Sequence, residues 1–387
     1  MSQQTTAAGG FTIRARALRI PLRRPTRISN RALVARDFLT VEVSREGTTG
    51  LGYAYIGTSG APAARMLVHE VLAPTLASIE PDDIIGAWEA MFQETLLIGR
   101  RGIVIRAMSA IDIALWDWRA RQAGLPLAVL LGGSVRAVPA YASGGYYRAD
   151  DPDACEAVRA EIRADRAAGF MDHKIKVGGL PVAADADRVR AALTVMAGSG
   201  RLALDANNAY AQPALAVQAA VAFEEAAADA GADGLWWFEE PLSPENIDGH
   251  AWIRERIATP VATGEIAQTR HEFRALINAG AADILQPDAG VLGGITEYLR
   301  VVRAAELHQV PVAPHWHANI HAHLAAASSA CLAVEHFDLG KDIYNFEAVV
   351  RPETRMAVVD GEVVVPDRPG LGIELDEDAV ARFEVAG

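Results

Sequence analysis

The rhythm of apolar positions divides the chain into two parts and a tail. Between residues 11 and 56, FTIRARALRI and DFLTVEVSREGTTGLGYAYI are rich in β-branched and aromatic residues and broken by turn signals, which predicts strands. Arg45-Glu46-Gly47 within the second predicts a hairpin turn. From about 61 to 124 the period lengthens. Val104, Met108, Ile111, Leu115 and Trp118 recur at spacings of four and three, which predicts one apolar helix face. Gly124 and Pro126 end that helix. Strands followed by helices predict a small α+β domain over residues 11–135.

From 136 to 354 the pattern alternates. Eight short apolar runs end in polar residues: VPAYASGG, MDHKIKVGG, RLALDANN, LWWFEEP, PVATGEI, DILQPDAG, VPVAPHWH and CLAVEHF. Helix-like stretches separate them, such as Pro213 to Ala230 before Gly231. Eight strand–helix units predict an α/β fold of the (β/α)₈ TIM-barrel type. Residues 355–387 carry a strand pair around Asp360-Gly361 and a Gly/Pro-rich stretch, and are expected to pack back on the first domain. A length of 387 residues suits one barrel of about 250 residues plus a capping domain.

The C-terminal ends of barrel strands converge on one face, where barrel active sites lie. Here those ends carry Lys174 and Lys176, Asp205 and Asn207, Glu239 and Glu240, Glu265, Asp288, His315 and Glu335. Asp205, Glu239 and Glu265 come from three successive runs. Three hard carboxylates suit octahedral Mg²⁺; taken singly, each could instead cap a helix. Lys174 and Lys176 sit two apart, so both point into the barrel. A lysine beside a second cation and a metal is expected to have its pKa lowered, as a general base requires. Asp288 can orient His315 as an acid/base pair. His315, His317, His321 and His323 cluster, so spacing alone does not choose among them, although His321 and His323 fall in a helical run. Glu335 lies in an apolar run. It is either kept protonated by burial, and so a donor to a developing enolate, or a carboxylate paired with a neighbouring cation.

Composition narrows the partners. A net charge of −13 and the lack of a basic stripe argue against nucleic acid. Arg14, Arg16, Arg19, Arg23, Arg24 and Arg27 alternate with apolar residues and read as a strand and its loop. Two separated cysteines, Cys155 and Cys331, suggest a reducing compartment. Residues 1–10 lack a basic-then-apolar signal, and no run of about 18 apolar residues suggests a membrane span. A cytoplasmic protein with no nucleic-acid or membrane partner is expected.

Several motifs together resemble the enolase superfamily, specifically its mandelate racemase subgroup, over nearly the whole chain. They are Lys174-Ile175-Lys176, LDANN, FEEP, ATGE, QPDAGVLGGITE, APHWHANIHAHLAAA and LAVEHF, with the capping stretch SAIDIALWDWRARQAGLPLAVLLGG. The resemblance implies an enolase-like modified barrel. It implies Mg²⁺ on Asp205, Glu239 and Glu265, and Lys176 as the base on one substrate face. Lys174 would lie against the substrate carboxylate, and His315 with Asp288 would serve the opposite face. Glu335 would hydrogen-bond an enolate oxygen, and Asn207 would contact the substrate. It also implies a homo-oligomer, since family members are commonly symmetric assemblies.

Two bases on opposite faces permit racemisation or epimerisation of a 2-hydroxy acid. They equally permit dehydration, with Lys176 taking the α-proton and His315 helping the β-hydroxyl leave. IHAHLAAA is similar to aldarate dehydratases, so dehydration of an acid sugar is expected, with the racemase second. Two capping loops, about 21–30 and 55–62, are expected to form the lid. Arg23, Arg24, Thr26 and Arg27 in the first, and Thr58 and Ser59 in the second, suit a polyhydroxylated or dicarboxylic acid if they are not simply solvated. Arg24 and Thr26 are candidate substrate contacts. His315-x-His317 leaves open a zinc amidohydrolase, although zinc prefers nitrogen and sulfur ligands. A barrel retained only for binding predicts gaps in the constellation.

Overall fold

The computed structural model describes residues 4–6, 10–29, 31–151 and 153–386. Four antiparallel strands form the capping sheet in the order β1 (Gln4–Thr6), β2 (Thr12–Ile28), β3 (Arg31–Arg45) and β4 (Thr48–Gly57). The turn between β3 and β4 has two residues, Glu46 and Gly47, at φ 51° and 79°. Positive φ at both positions matches the right-handed twist of a hairpin, as the sequence pattern anticipates.

The helix Ile103–Gln122 packs on this sheet. The sequence predicts one apolar face, but residues 107–115 are all buried. The helix is covered twice, by β4 on one side and by the barrel segment 289–307 on the other. Gly50 and Gly52 let β4 approach it: a Cβ on Gly52 would lie 2.0 Å from the Ala110 carbonyl oxygen. On the far side, Asp112 accepts from the Thr296 amide at 2.9 Å and its hydroxyl at 2.6 Å. The helix therefore fixes the cap to the barrel by both apolar and polar contacts.

The barrel strands are β5 (Ala137–Gly144), β6 (His173–Lys176), β7 (Leu202–Asp205), β8 (Phe238–Glu239), β9 (Val261–Thr263), β10 (Ile284–Leu285) and β11 (Val334–His336). All pair in parallel in chain order, and β11 returns to β5. The seventh stave is reduced to Val312, which bridges Leu285 and Cys331. Pro311 and Pro314 flank it, and proline cannot donate to a ladder. Inside, Tyr141, Trp237, Ala203, Ala262, Ala313 and Ala333 pack as a floor of two large and four small side chains. Every second residue along a strand faces the same way, so the side chains two positions on from this floor point to the mouth.

The tail divides. β12 (Ala357–Val359) and β13 (Glu362–Val364) form a hairpin that pairs with the start of β5, in the barrel. The last helix, Glu377–Phe383, instead lies against β2 of the cap, where Glu377 pairs with Arg16 at 2.7 Å. No helix among the described residues is long and apolar enough to cross a membrane.

Candidate active site

Register places the reacting groups at one level. Lys176 is opposite Asp205, and Asp205 is opposite Glu239. Glu265 follows β9 by two residues and folds back toward them. One carboxylate oxygen from each of Asp205, Glu239 and Glu265 lies within 4.8 Å of the others, and all three residues are buried. Among the described residues this is the only such group of potential metal ligands. All three offer hard oxygen donors, the set that magnesium prefers. Asn207 adds a buried Oδ1 without a partner beside them, while its backbone amide donates to Asp205 at 2.8 Å. The left-handed backbone at Asn207 (φ 42°) and Asn208 (φ 64°) turns the chain there, a conformation that asparagine tolerates.

Lys174 and Lys176 both enter this cluster. Lys174 Nζ donates to Glu239 Oε1 at 2.6 Å and lies 2.8 Å from Glu335 Oε1. Lys176 donates to Asp205 and stands over the Tyr146 ring, 4.9 Å from its centroid. The expected lowering of the Lys176 pKa is not what these carboxylates produce. Burial is the largest influence and lowers it, as Lys174 also does, but Asp205, Tyr146 and Glu239 together outweigh them and the net shift is upward. Depression to a working base requires that Asp205 be engaged by a metal cation rather than by the lysine. For Glu239, burial and then the Asp205 charge outweigh Lys174 and carry the carboxyl up to about 8. For Asp205, burial is overcome by the two lysines, and it stays ionised. Such crowding of like charge is relieved by a divalent cation.

Glu335 settles between the two readings open in the sequence. Burial pushes its carboxyl up, but Lys174, His315 and Lys176 bring it down to about 2. The Trp316 amide also donates to its Oε2 at 2.8 Å. It is therefore a paired carboxylate, not a neutral acid, because the lysine stands closer than an isolated apolar site would allow.

The histidine cluster sorts by contact. His315 Nδ1 lies 2.9 Å from Asp288 Oδ2, and its Nε2 lies 3.3 Å from Glu265 Oε2. Burial lowers its pKa, but Glu265 and the Asp288 hydrogen bond raise it further, to about 9. His317 is buried against Tyr344, Nδ1 to OH at 3.3 Å, and burial takes it down to about 4. His321 accepts from the Ala289 amide at 3.0 Å, and His323 bridges Ala128 and Leu371. His315 and His317 therefore do not form a zinc pair. Their shared neighbour is Asp288, and among the described residues the ligand geometry belongs to carboxylates alone.

The first lid segment differs most from expectation. Asn30, at its end, lies outside the described residues. Arg24 pairs with Asp150 at 2.8 Å and Asp151 at 3.1 Å, and Arg23 with Asp342 at 3.6 Å. The Thr26 hydroxyl donates to the Tyr147 carbonyl at 3.2 Å. Arg24 and Thr26 border a cavity of about 700 Å³ beside helix Ala154–Ala167, which the carboxylate cluster does not line. Acids in the barrel loops pair with Arg23 and Arg24, while Arg27 donates to the Gly179 carbonyl at 2.8 Å, and sequence spacing could not show those contacts. Thr58 and Ser59 in the second segment are exposed.

Several supporting residues escaped the sequence reading. Trp237 Nε1 and Gln286 Nε2 donate to Glu239 Oε2 at 2.8 and 2.7 Å. Trp237 precedes Glu239 by two, so period-two spacing could have found it. Glu240 accepts from Thr263 and Gly264 and braces the loop that leads to Glu265.

Comparison with known proteins agrees with this geometry. Residues 11–132 match the mandelate racemase / muconate lactonizing enzyme N-terminal domain, and residues 157–379 match the enolase C-terminal domain-like family. The chain is 32% identical to an arabinonate dehydratase from Saccharolobus solfataricus, over 88% of this chain and 90% of that one. A magnesium-bound racemase from Streptomyces coelicolor A3(2) superposes with a TM-score of 0.87 at 31% identity, covering 96% and 99% of the two chains. An L-talarate dehydratase from Polaromonas sp. JS666, complexed with Mg and L-glucarate, gives a TM-score of 0.85 at 31% identity, covering 97% of each.

Proposed function

From the premise that the chain belongs to the mandelate racemase/muconate lactonizing enzyme family of the enolase superfamily, we propose that it is a magnesium-dependent dehydratase of acid sugars. The single observation that carries this reading is the bracketed triad. Asp205, Glu239 and Glu265 converge within 4.8 Å, Lys176 touches Asp205, and His315 stands 3.3 Å from Glu265. Two proton-transfer groups thus flank one metal-competent centre. The dehydratase relatives, and the magnesium and glucarate in a related structure, support the choice of cofactor and substrate class.

Asp205, Glu239 and Glu265 would hold Mg²⁺, which supplies a Lewis acid for the substrate carboxylate. Lys174 lies against that carboxylate and balances charge as it grows. Lys176 takes the α-proton at Nζ. His315, protonated and oriented by Asp288, gives a proton from Nε2 to the departing β-hydroxyl. Glu335 keeps Lys174 charged and in place. Asn207 Oδ1, buried without a partner, can accept from a substrate hydroxyl.

The same pair of groups supports a second reading, racemisation or epimerisation, favoured by their placement at opposite ends of the triad and by the related racemase. One screen separates the two: mono- and diacid sugars with Mg²⁺ in deuterated water. A 2-keto product supports dehydration; α-deuterium with inversion and no keto product supports the racemase. Neither signal from any acid sugar would sink the dehydratase reading. The proposal extends to a homo-oligomer, supported by exposed Leu96, Leu97 and Ile98 on the cap and tested by sedimentation.

A further inference from the structure

Three arginines are buried among the described residues: Arg16, Arg36 and Arg188. Arg16 meets Glu377 at 2.7 Å and Arg188 meets Asp185 at 2.8 Å. Arg36, from β3 of the cap, is 3% exposed and enters no ion pair among the described residues. Its Nε donates to the Ile343 carbonyl at 3.3 Å and its Nη1 to the Tyr55 hydroxyl at 2.8 Å, leaving Nη2 buried without a partner. A buried charge lacking an opposite charge is costly, and its retention calls for an anion.

A second guanidinium stands nearby. Arg106, from the first turns of the helix Ile103–Gln122, donates to the Tyr55 carbonyl and also enters no ion pair among the described residues. Tyr55 lies between the two, with Arg36 5.3 Å and Arg106 5.9 Å from its ring centroid. The pair adjoins the reacting centre. Arg36 is 4.8 Å from the centroid of Trp316, and Trp316 stacks on His315 at 5.5 Å. Arg106 is close enough to Asp288 and Glu265 to feel both charges. It also borders a cavity of about 350 Å³ whose wall includes Thr263 and Gly264, the residues just before Glu265.

We propose that Arg36 and Arg106, gathered around Tyr55, bind a second, distal carboxylate of the substrate, so that the enzyme prefers diacid sugars to monoacids. The proposal rests on the acid-sugar reading and sharpens it. A guanidinium presents a planar fork that pairs with a carboxylate by two parallel bonds, and an anion there would satisfy the free Nη2. The competing role is structural, with Arg36 merely propping Tyr55 and Trp316.

The test is a ratio. kcat/KM is measured for stereoisomeric hexarates and their matching hexonates with wild type, Arg36→Met, Arg106→Met and Arg36→Lys. Wild type is expected to favour a hexarate. The hexarate-to-hexonate ratio is expected to fall about 100-fold in each methionine variant and to recover partly in Arg36→Lys. A prop lowers both constants together, so an unchanged ratio overturns the proposal, as does a wild type that uses both acids equally. If wild type turns over neither class, the acid-sugar reading fails while calorimetry still decides the subsite. Adipate and hexanoate are then titrated in the presence of Mg²⁺. Tighter adipate binding that Arg36→Met abolishes supports the subsite, and equal binding of the two overturns it.

Discussion

Lys174 Nζ lies 2.8 Å from Glu335 Oε1, between residues on the second and eighth barrel staves. The contact holds Glu335 as a carboxylate down to about pH 2, although burial alone would favour the neutral acid. A depressed folded pKa means the charged pair stabilises the fold above the ordinary Glu value of about 4.3. That contribution is lost as pH falls from there through about 2. Glu335→Gln is therefore expected to lower stability at neutral pH by about 1–3 kcal/mol, since Lys174 keeps Glu239 as a partner. It is also expected to flatten the acid limb of the stability curve. Denaturant melts between pH 2 and 7 check this; matching acid limbs for variant and wild type would contradict the pairing.

Magnesium is expected to stabilise the chain as well as to support catalysis. A ligand that binds only the folded state raises stability by about 2.7 kcal/mol at one hundred times its Kd. Chelation should abolish turnover, lower the melting temperature and leave the secondary structure intact, with Mg²⁺ restoring both. Asp205→Asn and Glu265→Gln should lose the Mg²⁺-dependent rise in melting temperature. A rise that persists in both variants would place the metal elsewhere.

Lys176 and His315 are predicted to fail differently. Removal of a general acid or base typically costs about 10²–10⁴-fold. Lys176→Ala should lose product formation and α-proton exchange together, because both begin with the proton that Lys176 is proposed to take. His315→Asn should lose dehydration by a similar factor while retaining α-proton exchange in deuterated water. Loss of exchange in His315→Asn with retention in Lys176→Ala would reverse the two assignments.

What could be read in sequence follows from what is local. Barrel strand ends converge by topology, so Lys174, Lys176, Asp205, Glu239, Glu265 and Asp288 could be placed together from spacing, whereas His315 is singled out from its neighbouring histidines by its contact with Asp288. The state of Glu335 could not, because it depends on the reach of Lys174 across the barrel. The contacts of Arg24 and Thr26 were illegible for the same reason. Asp150, Asp151 and Tyr147, which occupy them, lie more than a hundred residues along the chain. The helix Ile103–Gln122 showed one apolar face in its periodicity, but alanines and Ser109 bury its other sides too. Small residues carry little hydrophobic signal, so a helix covered on two sides reads as a helix covered on one.

That double cover makes Gly50 and Gly52 intolerant of a side chain. A Cβ on Gly50 would lie 2.2 Å from the Ala114 carbonyl oxygen and 2.3 Å from the Trp118 amide nitrogen. On Gly52 it would lie 2.0 Å from the Ala110 carbonyl oxygen and 2.5 Å from the Ala114 amide nitrogen. These are backbone atoms of a helix interior, so no rotamer change relieves the clash. The helix cannot retreat, because Asp112 ties its far side to Thr296. Gly50→Ala and Gly52→Ala are each expected to destabilise by about 1–3 kcal/mol, Gly52→Ala at the upper end. Each should also raise KM, since the same helix carries Arg106 toward the barrel mouth. Urea midpoints and steady-state kinetics check both effects. A Gly52→Ala variant with a wild-type midpoint would show that the sheet and helix can separate freely, contrary to the packing described above.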